Sequence, residues 1–248
     1  MPRTMRVKSE TDIYHVMLRG INQQIIFNED EDFQRFLETL KDCKAISGYK
    51  VFAYCLMNNH VHLLIKTGKE ELGQVLKRIG VRYVTYYNWK YFRRGHLFQD
   101  RYKSEPIEDD KYFLTVLRYI HQNPIKAGIV QLVEEYKHSS YHEYIGKSSN
   151  TITDINFAID MLGKDEFIRF NNEANDDFCM DECGDNRISD EAGKRIIKEI
   201  SNCEGVEQFI KLSVEEKEKY VRKIKEKGLS YRQICRLTGL SYGIVRRI

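Results

Sequence analysis

Two histidines stand either side of a single valine in the run Leu56-Met57-Asn58-Asn59-His60-Val61-His62-Leu63-Leu64-Ile65. The run is apolar enough to be a strand. Alternate strand residues share a face, so His60 and His62 point one way while Val61, Leu63 and Ile65 point the other. Such a pair is a ready-made couple of nitrogen ligands, but two ligands do not define a metal site, and a His-x-His pair is equally a half-exposed strand surface. A second pair lies further along. Tyr119 and Asn123 are four residues apart in a helical pattern and so sit one turn apart on one face. The usual fate of a helical tyrosine is to close the edge of a core; it becomes a nucleophile once its proton, with an ordinary pKa of about 10, is lost.

Those residues need a scaffold. Ile13 to Leu18 reads as a strand, rich in β-formers and closed by Arg19-Gly20. Glu31 to Ile46 carries Phe33, Phe36, Leu37, Leu40 and Cys43 at helical spacing, with acids in its first turn and Ser47-Gly48 at its end. Tyr49 to Met57 and His60 to Lys66 follow as strands joined through Asn58-Asn59. A helix from Glu71 to Phe92 ends near Gly95, and Leu97 to Ser104 returns as a strand. The order β, α, β, β, α, β predicts an α+β fold: a ferredoxin-like antiparallel sheet with helices on one side. Next, Asp109-Asp110 opens a helix with the apolar stripe Phe113, Leu114, Val116, Leu117 and Ile120; Pro124 is expected to stop it, leaving Asn123 at a frayed end.

The chain has 248 residues, 42% of them hydrophobic, enough for one sizeable core and a smaller domain. No apolar run approaches the roughly 20 residues of a membrane helix, and the first residues lead into a polar segment rather than a signal-peptide core. The expectation is a cytoplasmic protein with no membrane partner. Cys43, Cys55, Cys179, Cys183, Cys203 and Cys235 are scattered and read as reduced thiols; Cys179, Cys183 and Cys203 have no fourth ligand at a zinc spacing. A net charge of +3 is too small to argue from, but its distribution is uneven. Between Lys77 and Lys103 the cations Lys77, Arg78, Arg82, Lys90, Arg93, Arg94, Arg101 and Lys103 meet one acid, Asp100. The same stretch holds Tyr83, Tyr86, Tyr87, Trp89, Tyr91, Phe92, Phe98 and Tyr102. Cations meet phosphates and aromatic faces stack on unpaired bases, so the stretch suits single-stranded nucleic acid, although some of these rings must also serve as core.

Four strings in order carry a family resemblance: Tyr14-His15-Val16-Met17-Leu18-Arg19-Gly20, then Asn59-His60-Val61-His62-Leu63-Leu64-Ile65, then Arg94-Gly95-His96-Leu97-Phe98-Gln99-Asp100-Arg101-Tyr102-Lys103-Ser104, then Arg118-Tyr119-Ile120-His121-Gln122-Asn123-Pro124-Ile125-Lys126-Ala127-Gly128. Across residues 10 to 145 the chain resembles the single-tyrosine transposases of the HUH nuclease superfamily, especially the REP-associated branch. Asn58 departs from the proline common there before Asn-His, which changes the turn and not the ligands. The resemblance implies that His60, His62 and Asn123 hold a divalent metal ion, Mg2+ or Mn2+, and that Tyr119 is the nucleophile. It implies single-stranded, hairpin-bearing DNA as partner, no nucleotide cofactor, and cleavage and rejoining through a 5′-phosphotyrosine. A homodimer is compatible with it. Arg78, Arg82, Lys90, Arg93, Arg94, Arg101 and Lys103 are then the candidate phosphate contacts. His121 and Gln122 point elsewhere on the helix and receive no role. The rivals are a non-catalytic DNA-binding regulator derived from a transposase, and a relaxase or replication-type nickase with the same chemistry. An RNA-binding sheet module would carry its aromatics on strands, not on a helix.

The catalytic domain is expected over 1–147. A helical segment and acidic linker follow over 148–186, with helical stretches at Asp154 to Leu162 and Asp165 to Phe170. A helix-turn-helix-like DNA-binding domain is expected over 187–248, with capping boxes at Ser213-x-x-Glu216 and Ser230-x-x-Gln233. Ile234, Leu237, Leu240 and Val245 would be the core of its last hairpin and Gly239 its turn, and Arg232, Arg236, Arg246 and Arg247 the candidate DNA contacts.

Overall fold

A computed structural model of the chain describes residues 7–99, 101–148, 152–175, 177, 179, 190–203, 205–227, 229 and 231–247. The chain divides into two compact units, Met1–Asp181 and Glu182–Ile248. In the first, β-branched and aromatic runs build β1 (Ile13–Arg19), β2 (Lys50–Met57), β3 (His60–Lys66) and β4 (Lys103–Pro106). All pairings are antiparallel, in the order β2-β3-β1-β4. With α1 (Asp30–Ser47) and α2 (Leu72–Lys90) between them, this is the α+β, ferredoxin-like arrangement expected from the sequence.

The pleat divides the strand residues between two cores. Val16, Leu18, Val61, Leu63 and Ile65 face α1 and α2, where Phe36, Leu40, Val75, Ile79 and Tyr83 bury against them. The carboxylate of Asp32 accepts from the amides of Asn28 and Glu29 and so ties the start of α1, and Gly48 ends that helix at φ 68°, a conformation unfavourable to a residue with a Cβ. The opposite face, with Phe52, Cys55, Met57 and Leu64, is covered by α3 (Asp110–Lys126) through Phe113, Val116, Leu117 and Ile120. The sheet is therefore sandwiched, α1 and α2 on one face and α3 on the other. Asp109 caps α3 by accepting from the Tyr112 amide at 2.7 Å.

Three boundaries differ from the sequence expectations. Pro124 does not stop α3. It lacks only the N–H that Ile120 would receive, and bonds from Ala127 N to Asn123 O and from Gly128 N to Ile125 O, both 2.9 Å, carry the helix on to Lys126. Asn123 consequently sits inside the helix and is buried. The strand expected from Leu97 pairs as a strand only over Lys103–Pro106; Leu97, Phe98 and Tyr102 are apolar because they pack into the α1/α2 core, and Phe98 makes a single bridge to Gly20. The first unit also extends past 147. The short helices α4 (Tyr141–Tyr144), α5 (Asn156–Leu162) and α6 (Lys164–Asn172) place Tyr144, Ala158 and Phe167 in the same core as α3.

The second unit is helical: α7 (Asp190–Ser201), α8 (Val206–Ile210), α9 (Val214–Glu226), α10 (Tyr231–Thr238) and α11 (Tyr242–Arg247). Ser213 and Glu216 form the capping box that starts α9. Ile234, Leu237, Leu240 and Val245 are buried together, and Gly239 turns between α10 and α11 at φ 73°. A Cβ at Gly239 would also meet Val206 Cγ1 at 2.6 Å. The Ser230 cap and the acidic stretch from 180 to 189, Cys183 included, lie outside the described residues; the described cysteines are all free thiols.

Candidate active site

Strand β3 and helix α3 bring the sequence pair and the helical pair together. Asn123 Oδ1 lies 3.3 Å from His60 Nε2, and Asn123 Nδ2 lies 3.4 Å from His62 Nε2. Both imidazoles thus present the same ring nitrogen to one carboxamide. The tautomer of His60 follows from its other side. Asn59 offers Oδ1 to His60 Nδ1 at 2.7 Å, while its own Nδ2 reaches the Gln23 carbonyl at 3.5 Å. His60 Nδ1 is therefore the N–H, and its Nε2 lone pair faces the Asn123 oxygen. In this carboxamide orientation two acceptors face each other, an arrangement that a shared proton, a cation or a half-turn of the amide would satisfy. Among the described residues no three His, Cys, Asp or Glu side chains are grouped for a metal. The donor set here is two imidazole nitrogens and an amide oxygen, which suits a divalent ion taking mixed nitrogen and oxygen ligands, as Mn2+ and Mg2+ do.

Tyr119, one turn before Asn123, stands edge-on to His62 with ring centroids 5.9 Å apart. It is 2% exposed. The Lys126 ammonium lies 4.6 Å from its ring centre. Tyr112, on nearly the same face of α3, is differently placed: burial and a hydrogen bond to the Glu105 carboxylate hold its phenol well above the ordinary value, so it stays protonated. His121 is fully buried, bonded to Asn171 Oδ1 and Ser140 Oγ at 2.8 Å each, and burial draws its pKa down to about 4. Gln122 donates to the carbonyls of Asn171 and Glu173. Both anchor α6 and the segment after it, away from the histidine pair.

Residues 9–123, from the start of the sheet through Asn123, match the family model described as IS200-like transposase. By these residues, somewhat under half of its 248, the chain is similar to the IS200-like transposase family. It is 26% identical over 106 residues to a Haemophilus influenzae protein described as a REP-associated tyrosine transposase, a match covering 38% of this chain and 60% of that relative's length. A solved structure of a REP-associated tyrosine transposase bound to a REP hairpin superposes with a TM-score of 0.51 at 16% identity, over 62% of this chain and 95% of that one. That likeness is one of fold.

Within this matched segment the basic stretch is less uniform than its composition. Arg78 pairs with Glu70 and Ser47, and Lys90 is enclosed by Glu29, Glu31 and Asp32 at 3.2, 2.8 and 3.0 Å. Both cations are committed to carboxylates of the protein, which withdraws them from the expected phosphate contacts. Arg82 stands 3.6 Å from Asp42. Arg93 lies over the Tyr87 ring, while Arg94, Arg101 and Lys103 are exposed. Of the aromatics, Tyr83 and Tyr87 are core; Trp89 and Phe92, 77% and 98% exposed, stand free of it at the end of α2. In the second unit Arg236 and Arg247 are exposed, and the side chains of Arg232 and Arg246 lie outside the described residues.

Residues that the sequence did not single out stand behind the site. His15 contacts His62, Asn59 contacts His60, and Lys126 covers Tyr119. His15 lay within a family string and Asn59 beside a ligand, but neither position carried a signal of role.

Proposed function

We propose that this chain is a DNA transposase that cuts and rejoins single-stranded, hairpin-bearing DNA, with Tyr119 as nucleophile and a divalent ion, Mg2+ or Mn2+, held by His60, His62 and Asn123. One observation carries this conclusion: two imidazole Nε2 atoms and an amide oxygen converge one helical turn from a tyrosine. The REP hairpin held by the solved relative supports the choice of partner.

A divalent ion, when bound, supplies Lewis-acid polarisation of the scissile phosphate. Tyr119 sheds its phenolic proton and its oxygen bonds to phosphorus as the bond to the 3′-oxygen breaks. The 3′-oxygen leaves as a hydroxyl, taking up a proton, and the 5′-phosphate remains on Tyr119. Attack by the 3′-hydroxyl of another strand reverses the step and joins DNA without ATP. The Lys126 ammonium lies over the Tyr119 ring, 4.6 Å from its centre, and holds positive charge beside the reacting side chain. Tyr112 is the poorer candidate, because burial and its hydrogen bond to Glu105 hold its phenol above the ordinary value. The second unit helps choose the site through cations of α10 and α11.

The test is incubation with Mn2+ or Mg2+ and single-stranded DNA from the flanks of the chain's own gene. Cleavage and a covalent protein–DNA adduct should appear together, mass spectrometry should place the link on Tyr119, and Tyr119→Phe should abolish both while binding survives. A Tyr119→Phe protein that still cuts at the same position would make the nucleophile a water and the protein a hydrolytic nuclease. Binding without any cutting would favour the regulator.

A further inference from the structure

We propose that His15 and Glu105 are positioning residues that hold His62 in the tautomer whose Nε2 is a lone pair. The proposal rests on the reading that His62 is a metal ligand. The sheet register places the three on one face. Glu105 of β4 is the direct partner of His15 on β1, and His15 pairs with Leu64 on β3, which puts His62 two residues away and therefore on the same side of the pleat. His15 Nε2 is 3.0 Å from His62 Nδ1, the rings stacked at 5.3 Å and 30°. His15 Nδ1 is 3.8 Å from the Glu105 carboxylate, and the His15 side chain is fully buried.

Proton counting fixes the direction of this chain. Between two neutral imidazoles one nitrogen donates and the other accepts. A carboxylate only accepts, and here it also receives the Tyr112 hydroxyl. At 3.8 Å its influence on His15 is electrostatic rather than a full hydrogen bond, yet in a buried setting it favours the tautomer that turns N–H, not a lone pair, toward it. His15 then carries its proton on Nδ1 and accepts through Nε2. His62 must donate from Nδ1, which leaves its Nε2 lone pair aimed at Asn123. Asn59 does the same for His60 by a single hydrogen bond. Each proposed ligand thus has its own outer acceptor, the arrangement that raises ligand basicity and fixes ring orientation in metal sites.

The experiment uses the full chain without DNA. Mn2+ affinity is measured from the electron paramagnetic resonance of free Mn2+, and the His62 tautomer from long-range 1H–15N spectra of the imidazoles. His15→Phe keeps a ring in the sheet but removes the acceptor; Mn2+ affinity should fall about 10- to 100-fold and His62 should lose its single tautomer. His15→Gln, whose side-chain oxygen can accept from His62 Nδ1, should recover part of both. Glu105→Gln, on a partly exposed edge strand, should weaken affinity in the same direction by less. Wild-type affinity with an unchanged His62 tautomer in His15→Phe would overturn the proposal, as would equal losses in His15→Phe and His15→Gln, which would mean packing alone. A wild-type protein that binds no Mn2+ and no Mg2+ would overturn the metal site itself, and this inference with it.

Discussion

The Lys126 ammonium lies 4.6 Å from the centre of the Tyr119 ring and donates at 2.7 Å to the Asp177 carbonyl. One cation therefore touches both the proposed nucleophile and the segment that follows α6. A cation over an aromatic face contributes about 0.5–2 kcal/mol, so Lys126→Gln should slow single-turnover cleavage by roughly 2- to 30-fold while the fold is kept. A rate equal to wild type would reduce Lys126 to a tether for residue 177.

The cations of the basic stretch divide into two kinds that salt titration separates. Replacing the exposed Arg94 and Arg101 by alanine should flatten the dependence of single-strand binding on salt by about 0.7 log unit per log unit for each phosphate no longer neutralised. Lys90→Met should leave that slope alone and instead lower stability by about 1–3 kcal/mol, because it strips the buried Asp32 carboxylate of its ammonium partner. Trp89→Ala and Phe92→Ala should cost affinity without changing the slope, at about 1–3 kcal/mol for each base stack removed. Rings that contribute nothing to binding would place the strand elsewhere.

Stability should depend on pH through His138. Its ring stacks on Phe33 with centroids 3.6 Å apart, and burial lowers its pKa to about 4 from an ordinary 6.5. Between those values the unfolded chain binds the proton and the folded chain does not. This contribution is therefore complete above pH 6.5 and shrinks as the pH falls toward 4, by at most about 1.4 kcal/mol per pH unit. Denaturant titrations of wild type and His138→Phe, which preserves the stack, should diverge across that window. Parallel curves would show that His138 is protonated in the native state.

A chain ending after Asp181 should keep metal-dependent cleavage and lose preference among substrates, because it retains the whole first unit. A chain ending at Lys147 should fail to fold stably. It loses Ala158 and Phe167 from the core that α3 shares, and the Asn171 partner of buried His121. Calorimetry of both truncations checks this, and undiminished site choice in the longer one would remove the recognition role proposed for α10 and α11.

Periodicity alone put His60 and His62 on one face of a strand and Tyr119 and Asn123 on one face of a helix, since both repeats are local properties of the backbone. The βαββαβ order followed equally from local signals, turns and caps included. What stands behind each ligand was not local. His15 reaches His62 only because β1 and β3 pair in one register, and a slip of a single residue would turn one of them to the opposite face. Lys90 looked like a phosphate ligand until α1 brought three carboxylates to it, and Pro124 looked like a stop until the following turn found its own hydrogen bonds. The sequence determined which donors exist and which way their own element turns them. Tertiary structure decided which of those charges are neutralised within the protein and which lone pairs remain directed at a common point, because ion pairing and tautomer choice depend on neighbours that strand register and helix packing supply.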